Sequence, residues 1–305
     1  MGSKRVGLPL TLNPEHTSRL YEGTEYKDFW AGKEKASLDE LEHALVRELL
    51  PASGHRIIDI GCGFGRLADC YLDRFEQVVM LDGAITLLRQ ARDTFKDRAF
   101  YIAADANHLP LATSSFDCAV MIRVLHHLSD TQLTFSELKR ILGEGGVFLF
   151  NYSNKLSARQ LFRRLLRWNV ENPFVLEPMM SGQMLMQHHP AYVHRMLIKT
   201  GFSEMQYFGT GVIDKLAGRL GRFGRWLPSG RALASVFGAI KLAPWMMCRA
   251  RSRGEVLKHY KSVDDLLICP SCRSAVCRRE ESYLCPSCNS SYPIENGIAD
   301  FRPRV

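Results

Sequence analysis

The stretch RIIDIGCGFGRLADC, residues 56–70, carries three glycines directly after a run rich in β-branched residues. Such a run favours a strand, and glycine lets a backbone turn tightly and approach a ligand closely. The glycines are Gly61, Gly63 and Gly65, and Arg66 stands where the G-x-G-x-x-G spacing of a dinucleotide site would need its third glycine. The stretch therefore predicts a strand, a tight turn and a helix, with a bound ligand at the turn.

Strand and helix signals alternate from residue 56 onward. The predicted strands are residues 56–60, 77–82, 99–103, 116–122, 146–151, 202–208 and 244–250, and the predicted helices are residues 65–74, 84–95, 131–142 and about 190–200. This alternation is typical of a doubly wound parallel sheet with helices on both faces. We therefore expect an α/β fold with a seven-stranded sheet.

The composition is that of an ordinary soluble globular protein. The 305 residues are 46% hydrophobic and 24% charged, with a net charge of +8. The N-terminal residues lack the apolar core of an export signal, and the longest apolar stretch, residues 232–248, contains Lys241 and Pro244 and is shorter than a membrane span of about 20 residues. We expect a cytoplasmic protein, or one held peripherally at the membrane surface, whose nine cysteines stay reduced.

Two segments, residues 152–189 and 211–243, interrupt the alternation. Each leaves the carboxyl end of a strand, where ligands of open α/β sheets bind. Residues 151–254 contain sixteen Lys or Arg but only four Asp or Glu, and leucines recur at helical spacing in the second segment. This pattern is typical of helices that lie on membrane surfaces. We expect two basic caps over the ligand crevice, or plain amphipathic caps with a solvated basic face.

Acidic residues follow three of the predicted strands. They are Asp59, Asp82 and Asp105. Asp82 comes 17 residues after Gly65, where a carboxylate can accept hydrogen bonds from two ribose hydroxyls. Asp105 is placed to accept a hydrogen bond from the exocyclic amine of adenine. Because carboxylates attract positive charge, this set suits a cationic nucleoside without phosphates.

The sequence resembles the class I S-adenosylmethionine-dependent methyltransferases, in the branch called methyltransferase 11, over about residues 40–250. The segments that carry the resemblance are IIDIGCGFGRLA, VVMLDGA, AADANHLPLATSSFDCAVMIRVLHHL and LKRILGEGGVFLF. The resemblance implies a Rossmann-like sheet and S-adenosylmethionine as cofactor. After the second strand, this family usually has an acidic residue, then any residue, then serine. This chain has Asp82, Gly83 and Ala84 at these positions.

By this resemblance, the methionine part of the cofactor would contact Gly61, Cys62 and Gly63. Asp82 would bind the ribose, Asp105 and Ala106 would bracket the adenine, and Arg123 would lie beside the sulfonium. The complete predicted cofactor site consists of Asp59, Gly61, Cys62, Gly63, Gly65, Asp82, Gly83, Asp105, Ala106 and Arg123.

Two histidines, His126 and His127, follow the fourth strand and are the predicted catalytic residues. One of them could accept a proton from the acceptor, which is needed only when the nucleophile is protonated at working pH. The alternative is that one packs under the next helix and the other caps it or faces water. His188 and His189 form a second candidate pair, although Pro190 marks a helix start where polar residues collect.

Four cysteines near the C-terminus have the spacing of a structural zinc site: Cys269, Cys272, Cys285 and Cys288. Two Cys-x-x-Cys knuckles supply four thiolates, which close a tetrahedral Zn²⁺ site, and a tail this short needs such a staple. Cys277 is a spare. Residues 264–303 resemble the small bacterial zinc-ribbon family that is related to the methyltransferase-activating subunit of tRNA, rRNA and release-factor enzymes. The resemblance implies an activating or substrate-positioning module; a mere stabilising appendage is the alternative.

The predicted organisation is an N-terminal lid at 1–37, a methyltransferase domain at 38–254 and a zinc ribbon at 255–305. N-terminal aromatic residues close over the cofactor in similar methyltransferases, which implies this role for Tyr21 and Tyr26; the alternative is a hydrophobic lid on the first helix. The predicted function is methyl transfer to a small acceptor, amphiphilic or lipid-linked, with peripheral contact to an anionic membrane. The alternatives are an RNA methyltransferase that grips phosphates with its basic caps, and a non-catalytic cofactor-binding scaffold.

Overall fold

The computed structural model describes residues 33–128, 130–166, 172–181, 185–211 and 230–303. The α-helices in these residues are α1 (Lys33–Leu49), α2 (Ile85–Phe95), α3 (Thr131–Ile141), α4 (Ala158–Leu165), α5 (Pro190–Thr200) and α6 (Gly230–Ile240). The first nine strands are β1 (Gly54–Ile60), β2 (Phe75–Asp82), β3 (Phe100–Ala103), β4 (Phe116–Met121), β5 (Leu142–Ser153), β6 (Met179–Ser181), β7 (Leu185–Gln187), β8 (Phe202–Thr210) and β9 (Trp245–Arg253). The strands of the tail are β10 (Cys277–Arg278), β11 (Ser282–Leu284), β12 (Ser291–Glu295) and β13 (Ile298–Asp300).

Seven strands form the centre of the main sheet, in the order β3-β2-β1-β4-β5-β9-β8. Strands β1 to β5 are parallel, and β9 lies antiparallel between β5 and β8. All seven strands predicted from the sequence are therefore present. The sheet is mixed rather than wholly parallel, because the chain returns along β9 after the second insertion.

Helices cover both faces of this sheet. On one face, α3 and α5 contribute Phe135, Val193 and Leu197 to a core that also contains Phe148 and Phe150. On the other face, α1, α2 and α6 contribute Leu45, Leu88 and Ala234. Because helices bury both faces, the parallel strands read as continuous apolar runs rather than alternating ones.

The helix predicted at residues 65–74 is not a regular α-helix. After the glycine turn the chain forms successive turns and one 3₁₀ turn, Ala68–Cys70. Leu67, Ala68, Cys70 and Tyr71 are buried while Asp69 and Asp73 face solvent, so the segment is amphipathic without forming a regular helix. Tyr71 instead points at the sheet and donates a hydrogen bond from its hydroxyl to Asp59 over 2.7 Å.

The cysteine-rich tail continues the main sheet, which reaches eleven strands. Strand β13 pairs in parallel with β3, with Ile298 opposite Tyr101 and Asp300 opposite Ala103. Without this pairing β3 would be an edge strand with unpaired backbone groups. Strands β12 and β13 form a hairpin through Asn296 and Gly297, whose φ angles of 50° and 72° are those of a tight primed turn. The boundary predicted at residue 255 therefore divides the sequence without dividing the sheet.

The predicted caps and lid are described only in part. The first insertion contains α4 and the β6–β7 hairpin, and the second contains α6. Residues 212–229 of the second insertion, and Tyr21 and Tyr26 of the predicted lid, lie outside the described residues. Helix α1 begins at Lys33, so the boundary predicted at residue 37 falls inside it. Among the described residues, none of the helices has the length and apolar character needed to cross a bilayer.

Candidate functional site

An open cavity lies at the carboxyl ends of the parallel strands. Its walls come from the segments that follow β1, β2, β3 and β4, and include Gly61, Gly63, Asp82, Gly83, Asp105, Ala106, Arg123, Val124, His127 and Leu128. Nine of the ten residues predicted to bind the cofactor line this cavity or a smaller one beside it, and Gly65 lines neither; of the nine, Asp59 and Cys62 line only the smaller one.

The glycine turn owes its shape to contacts with the end of β4. Gly61 has a φ of 68°, and a Cβ on it would lie 2.2 Å from Cγ2 of Val124. A side chain at residue 61 would therefore force the two strand ends apart. Gly65 has a different role: a Cβ on this residue would lie 2.5 Å from the ring of Phe95 at the end of α2. Gly65 thus serves the packing of the turn against α2.

The carboxylate of Asp82 ties the end of β2 to the glycine turn. Its Oδ2 accepts a hydrogen bond from the backbone N–H of Gly63 over 2.7 Å, and its Oδ1 accepts one from Ala84 over 2.8 Å. The backbone N–H of Gly61 donates to the carbonyl of Leu81 over 2.7 Å. Asp82 is therefore held at the cavity wall by the backbone that it organises, in the position predicted for the ribose ligand.

Asp105 follows β3, the strand next to β2, and also lines the cavity. Its Oδ1 accepts a hydrogen bond from the backbone N–H of Asn107 over 2.9 Å, which sets the turn that also carries Ala106. Asp105 lines a second cleft too, which lies between this turn and the tail residues Tyr292, Phe301 and Arg302. The end of the cavity predicted to hold adenine is therefore the end nearest the tail.

A smaller cavity of about 330 Å³ continues from the turn, with Asp59, Cys62, Phe64 and Arg66 in its wall. Asp59 is 3% exposed and accepts the hydrogen bond of Tyr71. Burial, with the nearby charge of Asp82 adding to it, raises the pKa of the Asp59 carboxyl to about 7, although the hydrogen bond from Tyr71 lowers it. The charge of Asp59 therefore changes near neutral pH.

The two predicted catalytic histidines have different surroundings. His127 lines the large cavity, whereas His126 is 5% exposed. The His126 ring lies 3.9 Å from that of His127 and meets Trp245 edge-on at 5.1 Å, measured between centroids. Burial lowers the pKa of His126 well below its ordinary value. Of this pair, His127 is therefore the one that a ligand in the cavity could contact.

The second histidine pair is part of the scaffold. His188 is fully buried, its Nε2 lies 3.1 Å from Oγ1 of Thr131, and burial lowers its pKa to about 4. The Nδ1 of His189 accepts a hydrogen bond from the backbone N–H of Ala191 over 3.1 Å and caps α5. Neither residue lines the large cavity.

Arg123 lines both cavities, but its guanidinium faces helix α1. Its Nε donates to the carboxylate of Glu42 over 2.8 Å, and the guanidinium carbon lies 3.7 Å from the centre of the Trp245 ring. Sequence reasoning missed Glu42, because it lies on an ordinary amphipathic helix outside every motif. The one signal for Glu42 in the sequence was that a glutamate occupies a position on the buried side of that helix.

The four predicted metal ligands come together. Their sulfur atoms all lie within 4.8 Å of one another, with Cys269 and Cys288 3.6 Å apart and Cys272 and Cys285 3.4 Å apart. A Zn²⁺ ion with Zn–S bonds of about 2.3 Å needs sulfurs roughly 3.8 Å apart in a tetrahedron. The cluster therefore fits a four-thiolate zinc site, and the exposed Cys277 lies outside it.

The raised pKa of Asp59 predicts how stability depends on pH. Between its ordinary pKa of 3.8 and the folded value of about 7, the folded protein binds a proton that the unfolded chain has released. The contribution of Asp59 to the free energy of unfolding is therefore fully present below the lower value and is lost as the pH rises through the higher one. Asp59→Asn should remove this dependence, and urea unfolding of both unliganded proteins at about pH 5 and about pH 8 measures it. Equal losses in the two proteins between these pH values would contradict the prediction.

Comparisons with known proteins agree with this geometry. Residues 58–150 match the family described as Methyltransferase domain. The chain is 31% identical over 135 residues to a malonyl-[acyl-carrier protein] O-methyltransferase of Geobacter sulfurreducens, which covers 43% of this chain and 50% of that protein. It is 29% identical over 162 residues to a probable S-adenosylmethionine-dependent methyltransferase of Mycolicibacterium smegmatis, over 52% of this chain and 58% of that one. The chain thus spans about half the length of the curated relatives it matches.

A solved structure has the same fold. It is an S-adenosylmethionine-dependent methyltransferase from Mesorhizobium loti, with a TM-score of 0.51 and 21% identity over 69% of this chain and 97% of that one. The strand order, the glycine turn and the family match agree with one another. Residues 58–150 therefore match the Methyltransferase domain family, and the fold of the chain is that of the solved S-adenosylmethionine-dependent methyltransferase.

Proposed function

We propose that this protein transfers the methyl group of S-adenosylmethionine to a small amphiphilic or lipid-linked acceptor. The observation that carries the proposal is the cavity in which Asp82 stands at one wall and His127 at another, next to the first insertion. Strand β7 of that insertion lies against the turn at Leu125–His127. The cofactor cavity thus adjoins a cap that an acceptor can enter.

The residues of the cavity fit the cofactor. Asp82 would accept hydrogen bonds from the ribose hydroxyls, and Asp105 would accept one from the adenine amine. Gly61 and Gly63 would leave room for the methionine part at the smaller cavity, where Asp59 offers a negative charge to a cationic ligand. The bound cofactor supplies an activated methyl group, and positioning of the acceptor in line with it supplies much of the rate.

His127 is the proposed general base. It lines the cavity near the end of β4, where the acceptor would approach the methyl group. An acceptor hydroxyl or other protonated nucleophile would pass its proton to a ring nitrogen of His127. Buried His126, packed against Trp245, would support the His127 ring rather than touch the acceptor.

Exposed apolar side chains on the caps favour an amphiphilic acceptor. Among the described residues, eight of the ten large hydrophobic side chains that are exposed belong to the two insertions: Phe162, Leu165, Leu166, Phe174, Val175, Leu185, Val236 and Ile240. Arg159, Arg163 and Arg164 accompany them on α4. Apolar patches with basic residues are typical of surfaces that bind anionic membranes. One relative is named as a malonyl-[acyl-carrier protein] O-methyltransferase, so its acceptor is a small acyl group linked to a carrier.

The tail is proposed to be a zinc-held support for the adenine end of the cavity. The Tyr292 hydroxyl lies 3.0 Å from Sγ of Cys269, and its ring stacks on Phe301 at 4.6 Å. The backbone N–H of Phe301 donates to Ala103 over 2.8 Å, and Arg302 donates to the carbonyl of Gly83 over 3.3 Å. These contacts connect the four cysteines to the segments after β2 and β3.

Metal removal tests this support. Cys272→Ser should lose zinc, measured by atomic absorption, and should weaken binding of S-adenosylmethionine in calorimetry because β13 and Arg302 lose their anchor. Cys277→Ser is the matched control, because Cys277 is exposed and lies outside the cluster. It should keep full zinc content and full affinity. Retention of zinc by Cys272→Ser would overturn the four-thiolate site, and unchanged affinity after loss of zinc would overturn the support.

The acceptor class can be found without guessing the acceptor. A cell extract is incubated with the protein and methyl-labelled S-adenosylmethionine, and label is then measured in the lipid, RNA and protein fractions. We expect label in the lipid fraction, or on acyl-carrier protein within the protein fraction. The control is Asp82→Ala, which should lose about 1–3 kcal/mol of cofactor binding as ribose hydroxyls lose a charged acceptor. Label in tRNA or rRNA would favour the RNA alternative that the basic charge supports, and no transfer with intact cofactor binding would favour the scaffold.

The cap surface makes a separate prediction. Leu165→Asp should weaken binding to anionic phospholipid vesicles about tenfold or more, since burying a leucine side chain contributes ~1.5–3 kcal/mol. Leu165 is 77% exposed, and the matched control is Ile198→Asp on α5, where an isoleucine that is 57% exposed lies outside both insertions. Ile198→Asp should bind vesicles like the unmodified protein. Equal effects of the two substitutions in a sedimentation assay would show that the caps do not carry membrane binding.

A further inference from the structure

Glu42 of helix α1 is fully buried and binds two arginines. One carboxylate oxygen lies 2.9 Å from a guanidinium nitrogen of Arg66, and the other lies 2.8 Å and 2.6 Å from Nε and a terminal nitrogen of Arg123. Asn151 donates to the second oxygen over 3.3 Å. The carboxylate therefore joins α1 to the glycine turn, the end of β4 and the end of β5.

Arg123 is fixed at the cavity wall by its backbone and its side chain. Its φ is 65°, which is uncommon for a residue with a side chain. Its backbone N–H donates to Oδ1 of Asn151 over 2.7 Å, and its guanidinium stacks on Trp245. A positive charge is thus held permanently in the lining of both cavities, because a guanidinium does not release its proton near neutral pH.

A fixed guanidinium beside the cavity would repel a cationic ligand unless a nearby charge cancels it. Two buried like charges repel strongly, since the interior screens them less than water does. Glu42 stands directly against Arg123 and supplies that cancelling charge. Asp39 adds a second carboxylate on the far side of Arg66, so the network of Glu42, Asp39, Arg66 and Arg123 carries no net charge.

We propose that Glu42 is a positioning residue that sets the preference of this cavity for the cationic methyl donor over the neutral product. This inference rests on the proposed methyltransferase function. During transfer the acceptor atom forms a bond to the methyl carbon, the carbon–sulfur bond breaks, and its electron pair remains on sulfur. The sulfonium becomes a neutral thioether. Cancelling the charge of Arg123 therefore removes a repulsion that the donor would feel and the product would not, which favours exchange of product for donor after each turnover.

The test compares affinities for S-adenosylmethionine and S-adenosylhomocysteine in the full-length protein. Glu42→Gln keeps the shape and a hydrogen-bond acceptor but removes the charge, so the Arg123 guanidinium loses its partner charge. Calorimetry should show that affinity for S-adenosylmethionine falls about tenfold or more, while affinity for S-adenosylhomocysteine changes little. The ratio of the two affinities is the readout, because a merely structural role would weaken both ligands equally.

The chain offers a matched control for this substitution. Glu137 of α3 is also a buried carboxylate between two arginines, Arg140 and Arg273, and it does not line either cofactor cavity. Glu137→Gln should cost stability in the same way but leave the affinity ratio unchanged. The double variant with Glu42→Gln and Arg123→Met removes both charges and should return the ratio toward that of the unmodified protein.

The outcomes separate this inference from the proposed function. If the unmodified protein binds neither ligand, the cofactor assignment fails. If it binds both, and Glu42→Gln lowers both affinities by the same factor, the charge role of Glu42 is wrong while the methyltransferase proposal stands. Should Glu42→Gln fail to fold, the single variant Arg123→Met gives the answer from the other partner: loss of the guanidinium should strengthen binding of the cationic ligand relative to the neutral one, and an unchanged ratio would overturn the inference.

Discussion

The close approach of Gly61 to Val124 is the constraint on which the site depends. Strand β1 lies between β2 and β4, and its chain must leave the sheet at the point where β4 also ends. No Cβ fits between the two strand ends, so only glycine allows them to meet. Because they meet, the segments after β1, β2 and β4 form one continuous cavity wall, and the carboxylate of Asp82 can bind the backbone of the turn.

Two buried carboxylates near this turn, those of Glu42 and Asp59, have different hydrogen-bond partners. Glu42 is paired with two guanidinium groups, which offset the cost of removing a charge from water. Asp59 has one neutral hydroxyl partner, Tyr71, and burial raises the pKa of Asp59 to about 7. The first carboxylate is therefore paired with the guanidinium of Arg123, whereas the second has a neutral hydrogen-bond partner.

The tail covers the edge of β3, which would otherwise be exposed. A parallel sheet that ends in a short strand invites pairing with another chain, and β13 fills that position from within the same molecule. The four cysteines cluster beside the small hairpins behind β13, where a bound zinc ion would add the cross-link that so small a unit needs. Phe301 and Arg302 follow β13 directly and bond to the end of β3 and to the segment after β2. The same strand pairing therefore covers the edge of β3 and brings the tail against the cavity wall.

Much of this arrangement was readable from local patterns. Strand and helix periodicity predicted the seven central strands, because buried parallel strands have an apolar signature of their own. Residues at strand ends, such as Asp82 and Asp105, could be assigned to the cavity because the carboxyl ends of parallel strands share one edge. The spacing of the four cysteines predicted their cluster, since each knuckle is formed by residues that are close along the chain.

Contacts between distant segments were decided only by the tertiary structure. Glu42 and Arg123 are 81 residues apart, and neither position carries a local signal of the other. The sequence also gives no signal for the backbone pairing of β13 with β3, because main-chain hydrogen bonds are the same whatever the side chains. His126 and His127 differ in exposure to the cavity: Trp245 packs against the ring of His126, whereas His127 lines the cavity. By itself, the sequence determined which chemical groups stand at the edge of the sheet; the tertiary structure decided which of them are paired, buried or open to a ligand, because burial and charge pairing depend on neighbours that the chain supplies from far away.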